Sequence, residues 1–414
     1  MASVGHTVVG IDVDADKTAA LAGGQAPFFE PGLDELLRAG LDAGTLSFSS
    51  GMAAAADADV HFIAVGTPQS ESGAADLGYL DSALTALIPY LGPDSLVVGK
   101  STVPVGFATT AADRVEAAGA RLAWNPEFLR EGFAIRDTLQ PDRLVYGVRD
   151  GDERSVAELD AVYASALATG IPRLVTDFAT AELVKVAANA FLATKISFIN
   201  AMAEVADAVG ADVTQLADAI GQDARIGRRF LNAGVGFGGG CLPKDIRGFM
   251  ARADELGVGE SVAFLRQVDA INLRGRDRVV ERVIDQFRGD VAGRRVAVLG
   301  LAFKPDSDDV RDSPALDVAA RLHRLGAVVT GHDPKAIESA QRRHPELSYV
   351  DDLDDALRGA EVVVLLTEWA EYRSLDPVVT GELVGERRII DGRNCLDPVA
   401  WRAAGWSYRG MGRP

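Results

Sequence analysis

No proline or glycine interrupts the chain between Pro172 and Gly210, and from Thr180 to Asp207 that run is dense in Ala, Leu, Val and Phe. Proline and glycine are the residues that most strongly end helices, so the run predicts one long helix. Its apolar residues go around most of the circumference, and such a helix needs burial on several sides. We expect it to link two domains and to form the spine of a homodimer. A helix buried inside a monomer would carry the same pattern.

On either side of this helix the sequence alternates short β-branched runs with helical stretches. Thr7 to Ile11, Val60 to Val65, Leu96 to Val98 and Leu144 to Val148 read as strands before it. Arg295 to Leu299, Val328 to Thr330, Val362 to Leu366 and Arg388 to Asp391 read as strands after it. This alternation implies parallel sheets wrapped by helices. The fold class is therefore α/β, with two Rossmann-like αβ domains of parallel strands joined by a long central helix. The boundaries expected are 1–177, 178–285 for a central helical segment, and 286–414.

Composition narrows the class of partner. In 414 residues, 48% are hydrophobic and 25% charged, as in an ordinary globular protein. A formal charge of -18 sets an overall field against nucleic acid and anionic membrane, so a phosphorylated ligand must meet a local basic pocket. Two widely separated cysteines form no disulfide framework, which suits the cytoplasm. His6, His61, His323, His332 and His344 have no metal-ligand spacing, and no metal is expected.

One of the cysteines has an unusual setting. Cys241 ends the run Gly234-Val235-Gly236-Phe237-Gly238-Gly239-Gly240 and precedes Leu242-Pro243-Lys244-Asp245. Glycines let backbone close on a ligand, and Pro243 fits the start of a helix. Helix-end amides and Lys244 would both favour thiolate, the nucleophilic form. The alternative is a small buried residue, since free cysteine is often buried. Cys395, after Asp391-Gly392-Arg393-Asn394, reads as a buried thiol.

His6 to Asp14 reads as a strand ending in acid. In dinucleotide-binding folds an acid at the end of the second strand takes the ribose hydroxyls, roughly 20 residues after a glycine turn that holds the pyrophosphate. Asp12 lies too near residue 1 for that spacing, so the first strand and its glycine turn are expected to fall before Met1. A chain lacking them would hold NAD poorly. Gly234, Gly236 and Gly239 form a Gly-x-Gly-x-x-Gly in name only, because no strand precedes them. Gly300-Leu301-Ala302-Phe303-Lys304 follows a strand but lacks the later glycines, and is expected to cradle a different nucleotide.

Seven blocks occur in order. They are Asp12, Gly66-Thr67-Pro68, Ser101 to Gly106, Asn125-Pro126-Glu127-Phe128-Leu129-Arg130-Glu131-Gly132, the cysteine run, Phe303-Lys304-Pro305, and Asp309-Val310-Arg311-Asp312-Ser313-Pro314. Together they resemble the UDP-glucose 6-dehydrogenases over essentially the whole chain. The resemblance implies an NAD-binding domain, a central dimerisation domain, a UDP-binding domain, and oxidation of a UDP-glucose C6 alcohol to a carboxylate. Sister enzymes acting on UDP-N-acetylmannosamine or GDP-mannose share the plan, and a sugar-nucleotide-binding dimer without catalysis is a further alternative. Two departures are visible: Gly240 and Leu242 stand where the commoner pattern has Ser and Phe.

The resemblance also implies residue roles. Cys241 would hold the aldehyde as a thiohemiacetal and then a thioester, with Asp245 handling protons. Lys185 and Asn189, four apart on the long helix and so on one side of it, would face an oxyanion at C6. Thr102 and Glu127 would position the hydroxyl and a water. Glu127, Phe128, Leu129, Arg130, Lys185, Phe230, Leu231, Asn232, Ala233, Gly234, Gly238 and Lys304 match sugar-nucleotide positions. Asp12, Lys17, Thr67, Thr102, Glu131, Lys244 and Arg311 match NAD positions. Without the resemblance, Lys17 and Lys185 read as solvated lysines, Thr102 as a strand-end hydroxyl, Glu127 as a helix-start acid, and Asp245 as a cap or a partner of Lys244.

Overall fold

A computed structural model describes residues 1–70 and 73–414. The chain forms two compact units, Met1–Ala188 with Arg247–Gly259, and Asn189–Ile246 with Glu260–Pro414. The segment 178–285, expected as a separate central domain, contributes to both.

In the first unit the strands are β1 (Val8–Ile11), β2 (Leu46–Ser49), β3 (Val60–Ile63), β4 (Leu96–Gly99), β5 (Arg121–Trp124), β6 (Leu144–Gly147) and β7 (Arg173–Thr176). β1 and β2 pair with each other, and the rest form a sheet in the order β3-β4-β5-β6-β7. Pairing is parallel except at the junction of β5 with β6, where Trp124 faces Gly147 in an antiparallel bridge. β4 is buried on both faces, as a central parallel strand should be. One face packs Leu80, Leu84, Val97, Val115 and Trp124; the other packs Leu96, Val98, Tyr146 and Leu159.

In the second unit the strands are β8 (Arg295–Leu299), β9 (Val328–His332), β10 (Ser348–Tyr349), β11 (Val362–Leu365), β12 (Arg388–Asp391) and β13 (Ser407–Arg409). All pairs are parallel and the order is β10-β9-β8-β11-β12-β13. Counted from β8 this is 3-2-1-4-5-6, the doubly wound dinucleotide-fold order. Its central strand β8 pairs with both β9 and β11. The corresponding strands of the first unit, β1 and β3, each keep one edge unpaired among the described residues.

The helices that matter for the site are α1 (Ala15–Ala22), α2 (Phe107–Ala117), α3 (Phe178–Val209), α4 (Leu242–Glu255), α5 (Phe264–Gln286) and α6 (Pro314–Arg324). The expected long helix is α3, longer by two residues at each end. By length and hydropathy α3 could cross a membrane. Its polar side chains instead meet protein: Glu182 accepts from the Gly106 and Ala108 amides at 2.6 Å, and Ser197 donates to the Val268 carbonyl at 2.7 Å. Those contacts are what a helix packed within protein requires of its polar groups.

Candidate active site

Cys241 is the residue immediately before α4, and its carbonyl accepts the Asp245 amide at 2.8 Å, closing the first turn. The thiol belongs to an exposed residue, so the buried alternative does not hold. Pro243 is the second helical residue rather than the first. It has no amide hydrogen to leave unsatisfied in a turn where amides lack helical partners. Four residues after the cysteine, Asp245 is 4% exposed. Its Oδ2 accepts from Asn189 Nδ2 at 2.6 Å and its Oδ1 pairs with Lys244 at 2.7 Å. The pairing with Lys244 that the sequence allowed for Asp245 is thus present on one oxygen, and Asn189 meets the other.

The glycine run is held by side chains that no motif had marked. Asn272, fully buried on α5, accepts the Phe237 amide at 2.7 Å and returns a hydrogen bond to the Phe237 carbonyl at 3.0 Å. Asn200 on α3 accepts the Gly234 amide at 2.8 Å. Arg393 donates to the carbonyls of Gly236, Leu366 and Phe303. A buried asparagine inside a helix was the one available signal for Asn272, because that residue is a poor helix former without a specific partner. Arg393 and Asn200 had none.

Close approach of backbone requires glycine within the run, most clearly at Gly238. A Cβ at Gly238 would stand 2.3 Å from the Asp312 carbonyl oxygen and 2.6 Å from Pro314 Cδ. Gly238→Ala must therefore move backbone, and a loss of about 1–3 kcal/mol in stability is expected from such overpacking, checked by chemical denaturation. At Gly240 a Cβ would meet the Arg311 guanidinium at 2.5 Å. Those atoms are the far end of a flexible side chain, so the serine of the commoner pattern would need only a shift of Arg311. Arg311 is otherwise oriented by Asp309, and the Gly239 amide donates to its carbonyl at 2.9 Å. Buried Arg276 on α5 holds the same loop through Asp312 at 2.8 Å.

The remaining sugar-nucleotide positions of this unit divide by exposure. Leu231 and Ala233 are buried, whereas Phe230 is partly exposed with a left-handed backbone, φ 66°. Asn232 accepts from Arg228 at 2.7 Å. Lys304 lies 5.2 Å from the Phe303 ring centre. In the turn after β8 the Leu301 and Ala302 amides donate to the buried Asp333 carboxylate at 2.7 and 3.0 Å, which fixes the backbone of the turn. Cys395 is half-buried, and burial followed by the charges of Asp391 and Glu368 pushes its thiol up, away from thiolate.

In the first unit, Asp12 ends β1 and pairs with Lys17 of α1. The Lys17 hydrogen bond, with the Asp14 amide, holds the Asp12 carboxyl below its ordinary range. Thr67 donates to the Thr102 carbonyl at 2.8 Å, tying two of the expected NAD positions together. Glu127 is fixed at both oxygens: Oε1 accepts the Phe128 and Leu129 amides at 2.7 and 2.9 Å, and Oε2 pairs with Lys100 at 2.8 Å. The Lys185 ammonium lies 5.5 Å from the Phe128 ring centre. Arg130 makes a two-pronged pair with Asp137, and Glu131 is half-buried beside Gly132, whose amide donates to Glu30 at 2.7 Å. Among the described residues no cluster of His, Cys, Asp or Glu could hold a metal.

Two αβ units, one of them with the doubly wound 3-2-1-4-5-6 strand order, an acid following a strand, and an exposed cysteine just before a helix with a buried aspartate one turn on are the features expected of a nucleotide-cofactor dehydrogenase. Comparison with known proteins agrees. The NAD-binding domain of the UDP-glucose/GDP-mannose dehydrogenase family matches residues 1–167, its central domain 179–274 and its UDP-binding domain 297–398. The UDP-glucose 6-dehydrogenase of Rhizobium meliloti is 40% identical over 100% of this chain and 95% of its own length. The solved UDP-glucose dehydrogenase of Pyrobaculum islandicum is 39% identical with a TM-score of 0.89, covering 100% of this chain and 94% of that one. A UDP-D-ManNAc dehydrogenase from Pyrococcus horikoshii is 26% identical with a TM-score of 0.85, covering 100% and 95%. The chain belongs to the UDP-glucose/GDP-mannose dehydrogenase family and is an NAD-dependent oxidoreductase.

Proposed function

We propose that the protein oxidises the C6 alcohol of UDP-glucose to the carboxylate of UDP-glucuronate. The observation that carries this reading is the geometry around Cys241: a helix-opening thiol, with Asp245 one turn on and Asn189 bonded to that aspartate at 2.6 Å. The similarity to UDP-glucose dehydrogenases over the full chain supports the choice of sugar.

NAD, when bound, accepts the hydride released in each of two oxidations. Asp12, Lys17, Thr67, Thr102, Glu131, Lys244 and Arg311 are the residues proposed to hold it, and Asp12 fits the ribose end as an ionised acceptor. The first oxidation removes a hydride from C6 and a proton from its hydroxyl, giving an aldehyde. Cys241 then adds its sulfur to the aldehyde carbon, and the oxygen takes a proton as the thiohemiacetal forms. Lys185 and Asn189 stabilise negative charge on that oxygen as it passes between alkoxide and carbonyl. Loss of the second hydride and of the hydroxyl proton gives a thioester. Water attacks its carbonyl carbon, Asp245 takes a water proton, and the carbon–sulfur bond breaks to return the thiolate and release the carboxylate. The sum is alcohol, two NAD and one water going to carboxylate, two NADH and three protons.

Turnover with UDP-glucose, UDP-N-acetylmannosamine and GDP-mannose tests the substrate. UDP-glucose should have the highest kcat/KM by at least about tenfold. No turnover of UDP-glucose, with turnover of another sugar nucleotide, would transfer the reading to a sister dehydrogenase.

For assembly we propose a homodimer through α3. Phe191, Phe198 and Val205 are spaced by sevens, so they share one face, and they are 67%, 48% and 54% exposed. Phe191→Asp with Phe198→Asp is expected to yield monomers by sedimentation, where the unaltered chain sediments as a dimer. Two widely separated cysteines in the sequence suit the cytoplasm, which we propose as its compartment.

A further inference from the structure

Lys100 stands one residue beyond β4, and Asn125 one residue beyond β5. The two strands run parallel in register, with the Asn125 amide donating to the Gly99 carbonyl at 2.8 Å. Both residues therefore emerge side by side at the carboxyl ends of the strands, the edge at which such sheets bind ligands. The Lys100 ammonium has three donors and three partners: Glu127 Oε2 at 2.8 Å, Asn125 Oδ1 at 3.2 Å and the Tyr163 hydroxyl at 3.3 Å. The Tyr163 hydroxyl in turn donates to Asn125 Oδ1 at 2.6 Å, and Asn125 Nδ2 donates to the Val145 carbonyl of β6 at 2.9 Å. Asn125 is 1% and Tyr163 5% exposed, so this network is buried.

A carboxylate offers about four acceptor positions. Two backbone amides take those on Glu127 Oε1 and Lys100 takes one on Oε2, which leaves a single direction for a further donor. We propose that Lys100, ordered by Asn125 and Tyr163, is a positioning residue that fixes Glu127 as an anion with one remaining acceptor direction, used for an O–H group at the reacting C6 centre. This rests on the function proposed above and assigns Glu127 the task of a fixed acceptor rather than a proton shuttle.

The electrostatics agree with the geometry. Burial by itself would raise the Glu127 carboxyl, but the charge and hydrogen bond of Lys100 and the two amides outweigh it and hold the group below its ordinary range. Lys100 is held above its own ordinary value: burial opposes its charge, while Tyr163 and Glu127 more than restore it. Asp137, Asp142 and Arg143 line the same pocket. Asp137 is committed to Arg130, and Arg143 lies 3.9 Å from the centre of the Phe128 ring.

The test compares wild type, Lys100→Met, Lys100→Arg and Tyr163→Phe. The Glu127 carboxyl is titrated directly by carbon NMR on protein labelled at glutamate, with Glu127→Gln identifying its signal. In Lys100→Met that titration should move up by at least about one pH unit, kcat should fall about tenfold or more, and the sugar-nucleotide KM should change less than about threefold. The acid limb of the pH profile should move up in parallel, and Lys100→Arg should recover part of the loss. Tyr163→Phe keeps the ring in place, so it reads the network even where Lys100→Met fails to fold, and should shift the titration in the same direction by less. Glu127 titrating at one pH in wild type and in every folded variant would overturn the proposal. Absence of turnover in the wild type would remove the proposed function, while the carboxyl titration would still decide the role of Lys100.

Discussion

Cys241→Ala will lower sustained NADH production from UDP-glucose by at least about 10³-fold, a loss on the scale seen when a covalent nucleophile is removed. The size follows from what the sulfur does. Without it the aldehyde has no covalent anchor, and the second hydride must leave from a hydrated aldehyde held only by hydrogen bonds. Stability should change little, because the residue is exposed and its carbonyl, which accepts the Asp245 amide, is backbone. UDP-sugar affinity should stay within about threefold of wild type, measured by calorimetry, since the contacts expected for the nucleotide lie on other residues. Cys241→Ser is the sharper variant. An alkoxide is a poorer leaving group than a thiolate, so the serine form should collect an ester of the substrate, detected as a mass increase on the intact chain. Full activity in either variant would show that the chemistry does not pass through this side chain.

Asp245→Asn will lower kcat by about 10²–10⁴-fold, the range for loss of a general base. The substitution keeps the size of a side chain that is 4% exposed but removes the charge that faces Lys244 at 2.7 Å and accepts from Asn189 at 2.6 Å. An asparagine can still accept one of those hydrogen bonds, so loss of stability should be modest beside loss of rate. Under the proposed sequence the block falls on water attack. Asp245→Asn should then show a burst of NADH and hold a thioester on Cys241, visible by mass after acid quench. A variant that loses kcat with no burst and no adduct would place the role of Asp245 in the first oxidation instead.

How much of this was legible in the chain depends on the range of the interaction. The helix α3 was plain because no breaker lies between Pro172 and Gly210, and β8 and β12 were legible to the residue because their β-branched runs end at glycine or acid. β2, Leu46–Ser49, alternates apolar with serine over four residues, and β7 lies exposed at a sheet edge; neither carries a run long or apolar enough to stand out. Cys241 and Asp245 were legible together because a four-residue spacing becomes one helical turn. Their supports were not. Asn189 meets Asp245 across 56 positions, Asn272 meets Phe237 across 35, and Lys100 meets Tyr163 across 63. No local pattern announces pairs of that separation. The support of the turn after β8 was hidden for the same reason: Asp333, which accepts its amides, comes from the end of the neighbouring strand.

The central claim is that one sugar nucleotide is oxidised twice at C6 through Cys241, and the yield of NADH per UDP-glucose consumed tests it most directly. With limiting UDP-glucose and excess NAD, the reaction run to completion should give two NADH for each sugar nucleotide, with a carboxylate as the only sugar product by mass. One NADH per sugar nucleotide with an aldehyde as the end product would contradict the account.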